Sequence, residues 1–142
     1  MLSVEAASAE EEEDAERLVQ LSLAAITNLT FYGDTKAALR FYTAGFFATV
    51  KKKVKHWSSK TFNNFLQAAT NIVFELPVAV DQFVGTDFIK FSSSHESNGA
   101  VANSLAWSLR TLISLSQEEA SLVNLALVSL PFSLNYLHRF LK

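Results

Sequence analysis

The residues able to do chemistry in this 142-residue chain are few and scattered. Its three histidines, His56, His95 and His138, lie 39 and 43 residues apart and share none of the short spacings that gather ligands round a metal. The carboxylates come in runs, Glu10 to Asp14 and Glu118-Glu119, which read as charge at helix starts rather than as acid–base pairs. There is no cysteine, hence no thiolate ligand and no disulfide. No P-loop, dinucleotide fingerprint or nucleophile elbow occurs. The expectation is a non-catalytic protein with no metal, no cofactor and no small-molecule substrate.

What remains is the chemistry of recognition. Lys51-Lys52-Lys53-Val54-Lys55-His56, with Lys60 close by, concentrates positive charge in a chain whose formal net charge is −2. Such a run serves as a solvated helix end favoured by the dipole, or it docks an acidic surface such as tubulin tails or RNA phosphate. No glycine-flanked aromatic ribonucleoprotein motif accompanies it. Asn28 and Asn71 lie inside helical patterns, where asparagine has weak propensity and needs a reason. An amide there can bond a neighbouring segment or the backbone of a bound peptide. Trp107, Arg110, Thr111 and Ser114 share one side of a helix whose core stripe is Val101, Leu105, Leu109 and Leu112. The indole offset from that stripe is a candidate anchor for a partner.

The elements that must position these residues repeat. Leu23–Phe31, Leu66–Phe74 and Leu105–Ile113 are versions of one helix, and Asn28, Asn71 and Thr111 recur at spacings of 43 and 40 residues. Phe41, Phe46 and Phe47 match Phe83, Phe88 and Ile89 at an offset of 42. A period of this size is the mark of an α-solenoid, whose units bury their faces only against neighbours. The composition agrees, being 49% hydrophobic with four Gly and two Pro.

Ser8 and Glu11 have capping-box spacing for a first helix running to about Tyr32, with Leu18, Leu21, Ala25 and Leu29 on one face and Gly33-Asp34 stopping it. Further helices are expected over Thr35–His56, bent near Ala44-Gly45. The next starts at Ser58 or Ser59 and carries Phe62, Phe65, Leu66, Ala69, Ile72 and Val73 on its core face until Pro77. Val78–Ser92 gives a short pair, 93–99 a polar loop, and Ala100–Leu115 the third long helix. Gln117–Lys142 opens a further unit broken at Pro131.

The order of helices, with Ala25-Ile26-Thr27-Asn28-Leu29, Ala68-Ala69-Thr70-Asn71-Ile72 and Ser108-Leu109-Arg110-Thr111-Leu112 in the long ones, resembles the armadillo repeat, with a HEAT-type array as the alternative of the same period. The resemblance implies an all-α, short right-handed solenoid of about three repeats: an acidic helix start at 1–14, a third helix at 15–34, units at 35–76 and 77–116, and a partial unit at 117–142. Ile26 to Tyr32 and the Phe-rich unit after it are similar to armadillo proteins of cilia and flagella. What this implies is a structural or adaptor subunit of a larger, cytoskeletal or ciliary, assembly. It also implies a groove for extended peptides, with ladder positions Asn28, Asn71 and Thr111 and preceding-turn positions Ala24, Gln67 and Trp107. Arg110 lies between Trp107 and Thr111. Only two ladder positions keep asparagine and only Trp107 keeps the aromatic, so a nuclear-import type of groove is not implied.

The acidic start is the opposite of a signal or transit peptide, so a cytoplasmic, non-secreted protein is expected. The apolar run Ser121–Leu137 is interrupted by Pro131 and reads as two buried helical pieces rather than a membrane span. Solenoids need polar ends to stay soluble. The acidic first helix suits one end, whereas Leu122–Leu141 is too apolar for the other and is expected to pack on a partner or a second copy. The competing classes are an RNA- or ribosome-associated helical protein using Lys51–Lys55, and a membrane-associated subunit of an organellar complex using Ser121–Leu137.

Overall fold

The structure, a computed structural model, describes residues 8–31 and 35–128, with side chains up to Leu115. Seven α-helices follow one another in the described residues, and no strand occurs among them. They are α1 (Ala9–Phe31), α2 (Thr35–Thr43), α3 (Phe46–Lys51), α4 (Ser59–Glu75), α5 (Val80–Val84), α6 (Phe88–Ser92) and α7 (Gly99–Val128). Short 3-10 turns occupy Val54–His56, Pro77–Ala79 and Ser93–His95.

The helix starts follow their local chemistry. Ser8 and Glu11 close the capping box reciprocally: the Glu11 N–H donates to Ser8 Oγ at 3.2 Å and the Ser8 N–H to Glu11 Oε2 at 3.3 Å. Ser58 is the cap of α4, its Oγ accepting from the Thr61 N–H at 3.4 Å. Asn98 does the same for α7, accepting from the Val101 N–H at 3.1 Å. Pro77 follows the end of α4 at Glu75. The bend expected at Ala44-Gly45 is a left-handed residue, Gly45 with φ +88°, directly before α3. Forty-two residues on, Asp87 adopts φ +59° directly before α6. The repeat seen in the phenylalanines therefore extends to the backbone.

The three long helices run side by side in the same direction. On α1 and α4, Gln20 meets Asn64 and Thr27 meets Asn71. On α4 and α7, Asn63 meets Ser104 and Thr70 meets Ser108. These offsets, 38 to 44 residues, bracket the spacings of the sequence repeat. α4 is the shared neighbour, and ten of its seventeen residues are buried.

Beneath it the short helices supply a cluster of rings. Phe65 packs against Phe46, Trp57, Phe62 and Phe83 at centroid distances of 5.6 to 6.4 Å, and Phe83 stacks on Phe88 at 4.1 Å. Every core position expected on α4 and α7, from Phe62 to Val73 and from Val101 to Leu112, is buried. Each fully buried ring or leucine contributes about 1.5–3 kcal/mol, which is why the period alone located them.

Two expectations change. α7 does not end near Leu115: its backbone continues through Gln117 to Val128, because an i, i−4 ladder once formed is not interrupted by serines and glutamates. The first helix does not present a polar end either. Leu18, Leu21, Ala25 and Leu29 all lie exposed on the side away from α4. The stop at Gly33-Asp34, His138, Phe140 and the break at Pro131 lie outside the described residues, as do the side chains of 116–142.

Candidate interaction groove

The α4–α7 pair forms a groove of about 480 Å³ lined by Phe74, Trp107, Arg110, Thr111, Ser114 and Leu115. Its walls are set by polar contacts between the two helices. The Ser104 hydroxyl bonds the Asn63 side-chain oxygen, and Thr70 and Ser108 pair their hydroxyls at 2.7 Å in a fully buried position. Each of the last two also lies within reach of its own helix, Thr70 of Leu66 O at 2.6 Å and Ser108 of Ser104 O at 2.9 Å. One hydroxyl donates to the other, and the accepting hydroxyl donates its own O–H to the carbonyl four residues back in its helix. Small side chains at 104 and 108 let α7 approach α4 closely, so Trp107, on the next face, stands beside the seam.

The groove offers two rings and a cation. Phe74 is 66% exposed and Trp107 37% exposed. Arg110 and Ser114, three and seven residues after Trp107, share its side of α7 and are exposed. Apolar walls with a guanidinium at one edge suit a ligand with a large apolar anchor and an acidic or carbonyl group nearby. Among the described residues no three His, Asp or Glu gather as a metal site would need.

The structure brings together three of the candidate groove residues, Trp107, Arg110 and Thr111. Gln67 lies half-buried on α4, seven residues before Phe74 and so on the same side. The two asparagines are elsewhere. Asn28 is exposed on α1. Asn71 is buried, and its Nδ2 donates to Thr27 O of α1 at 3.1 Å, so that amide joins two helices. Phe74 was not among the expected groove residues. Its signal is in the sequence: it ends the repeated segment as Phe31 does, and it falls off the Phe62–Val73 core stripe.

The basic residues Lys51, Lys52, Lys53, Lys55, His56 and Lys60 are all exposed, from the end of α3 through the Val54–His56 turn to the first turn of α4. Lys53 also edges an apolar pocket of about 350 Å³ between α1 and α3, floored by Leu23, Phe46 and Trp57. Above it, Glu16 of α1 reaches the start of α4, accepting from the Ser58 N–H at 2.8 Å and the Thr61 hydroxyl at 2.7 Å. Partial burial raises the Glu16 pKa, but these hydrogen bonds together outweigh it and hold the group below its ordinary value. His95 ties the Ser93–His95 turn to α4, with Nδ1 2.8 Å from Ser59 Oγ and its ring stacked on Phe62 at 4.8 Å. Burial pushes its pKa down, because desolvation disfavours the charged imidazolium.

No protein-family model, curated protein or solved structure matches the chain. Among the described residues no helix is long and apolar enough to cross a membrane.

Proposed function

We propose that the chain is a short armadillo-like α-solenoid and a non-catalytic adaptor, holding a segment of a partner protein in the α4–α7 groove within a larger assembly. The observation that carries this reading is the exposure of Phe74 and Trp107 together, beside Arg110 and Thr111, on walls joined by the buried Thr70–Ser108 hydroxyl pair. Large rings exposed side by side are costly unless something covers them. The repeated register of α1, α4 and α7 and the paired left-handed residues Gly45 and Asp87 support the repeat architecture. The resemblance to ciliary armadillo proteins makes a cytoskeletal or ciliary assembly in the cytoplasm the setting of this proposal. A displayed-peptide selection against the full chain tests it. Phe74→Ala and Trp107→Ala should each weaken selected peptides by about tenfold or more. Peptides that bind the double variant as tightly as the wild type would refute the groove.

A second reading is favoured by one observation, that all six basic residues between Lys51 and Lys60 are exposed. It makes the chain an RNA- or tubulin-associated protein. Affinity falling linearly with salt on a logarithmic scale, and lost with Lys51→Glu, Lys52→Glu and Lys53→Glu together, would support it. Salt-insensitive binding supports the apolar groove instead. The third class, a membrane-associated subunit, rests on Ser121–Leu137, whose side chains lie outside the described residues.

A further inference from the structure

Helix α1 has two unlike sides. One packs on α4 through Leu23 and Thr30, both buried, and through the Glu16, Gln20 and Thr27 contacts. The other shows Leu18, Leu21 and Leu29, exposed by 66, 62 and 57%, with the small Ala25 between them. At 3.6 residues per turn these four fall within an arc of about 80°.

The repeat says what this face corresponds to. Forty-three residues on from Leu18, Leu21 and Ala25 stand Thr61, Asn64 and Ala68, the side of α4 that receives α1. On α4 that side is polar and bonds a helix carboxylate and carbonyl. On α1 it is lined with leucine, which takes side chains and no backbone. The equivalent side of α1 therefore suits an apolar neighbour rather than a polar seam like that of α4.

We propose that a second copy of this chain covers the face, the two α1 helices packing antiparallel about a twofold axis near Ser22 and Ala25. The positions 18, 21, 25 and 29 advance by three, four and four residues and so keep to one side of α1. Antiparallel pairing centred there sets Leu18 of each copy beside Leu29 of the other, with small Ser22 and Ala25 at the crossing, where the helices come closest.

Charge selects the direction. Glu10, Glu11, Glu12, Glu13 and Asp14 are all exposed at the start of α1, and no basic residue lies in its last turn. A parallel pair would lay two such acidic runs together. In the antiparallel pair each acidic run extends past the end of the other α1 toward α2, which carries exposed Lys36, Leu39 and Arg40. This interface involves no residue of the α4–α7 groove and stands or falls separately from it.

Sedimentation equilibrium of the full chain tests the dimer, with far-UV circular dichroism as the control for folding. The wild type should be dimeric at micromolar concentration. Leu21→Asp, at an exposed position, should raise the dissociation constant at least 100-fold with unchanged helix content. Because the chain has no cysteine, a Ser22→Cys, Ala25→Cys double variant gives a clean second readout. Mild oxidation should link position 22 of one copy to position 25 of the other, while Asn103→Cys on exposed α7 should stay unlinked. A wild type that sediments as a monomer, a dimer untouched by Leu21→Asp, or links joining like positions would each overturn the proposal.

Discussion

Gly45 and Asp87 stand at equivalent places, each the left-handed residue before a short helix, yet only one is a glycine. A side chain costs about 1–2 kcal/mol in that region, less for aspartate than for most residues. A Cβ at Gly45 would meet nothing within 4 Å, so Gly45→Ala isolates the backbone term. It should lower stability by about 1 kcal/mol in urea unfolding, whereas Asp87→Gly should be neutral or stabilising by up to about 1 kcal/mol. His95 makes a prediction of opposite kind. Its pKa is lower in the folded chain than the ordinary 6.5, so below that value the unfolded chain binds the extra proton first. Stability should therefore fall as pH drops from about 7 toward 5, and His95→Gln should flatten that slope. Glu16 acts at lower pH: its depressed pKa contributes stability above the usual carboxylate value, lost as the pH falls through the folded one. A slope between pH 7 and 5 unchanged by His95→Gln would move the effect to another group.

Among the elements, α4 shows how one helix serves three neighbours. Its Asn64 and Asn71 turn to α1, its Asn63 and Thr70 to α7, and its Phe62 and Phe65 to the short helices below. Period-3.6 patterning was enough to place the last group, since burial of rings dominates their energy. It was not enough for the amides. Position on a helix gives the direction of Asn71, but whether that direction meets a partner helix or open solvent depends on the lateral spacing of α1 and α4. Asn71→Ala should cost about 1 kcal/mol by freeing Thr27 O of its bond while leaving peptide binding in the groove unchanged. A loss of binding without loss of stability would return Asn71 to the ligand site. That Trp107, Arg110 and Thr111 share one side of α7 was legible because helical spacing alone sets it.

The whole molecule is organised round the ring cluster at Phe65, which joins the long-helix layer to the short helices through Phe46, Trp57 and Phe83. Phe65→Ala should therefore destabilise by about 3–5 kcal/mol and unfold the chain as a unit, coincidently by fluorescence and circular dichroism. Separate transitions for the two probes would show the two layers to be independent. The sequence by itself determined the helical class, the core stripes of α4 and α7 and the caps at Ser8 and Ser58, because periodicity and capping are local and each is worth a definite free energy. The tertiary structure alone decided that α4 is the shared neighbour and that Asn71 joins two helices. It also paired Phe74 with Trp107 and left the leucines of α1 facing outward. Those depend on which helices lie beside one another and how closely, a many-body outcome of packing that no single segment encodes.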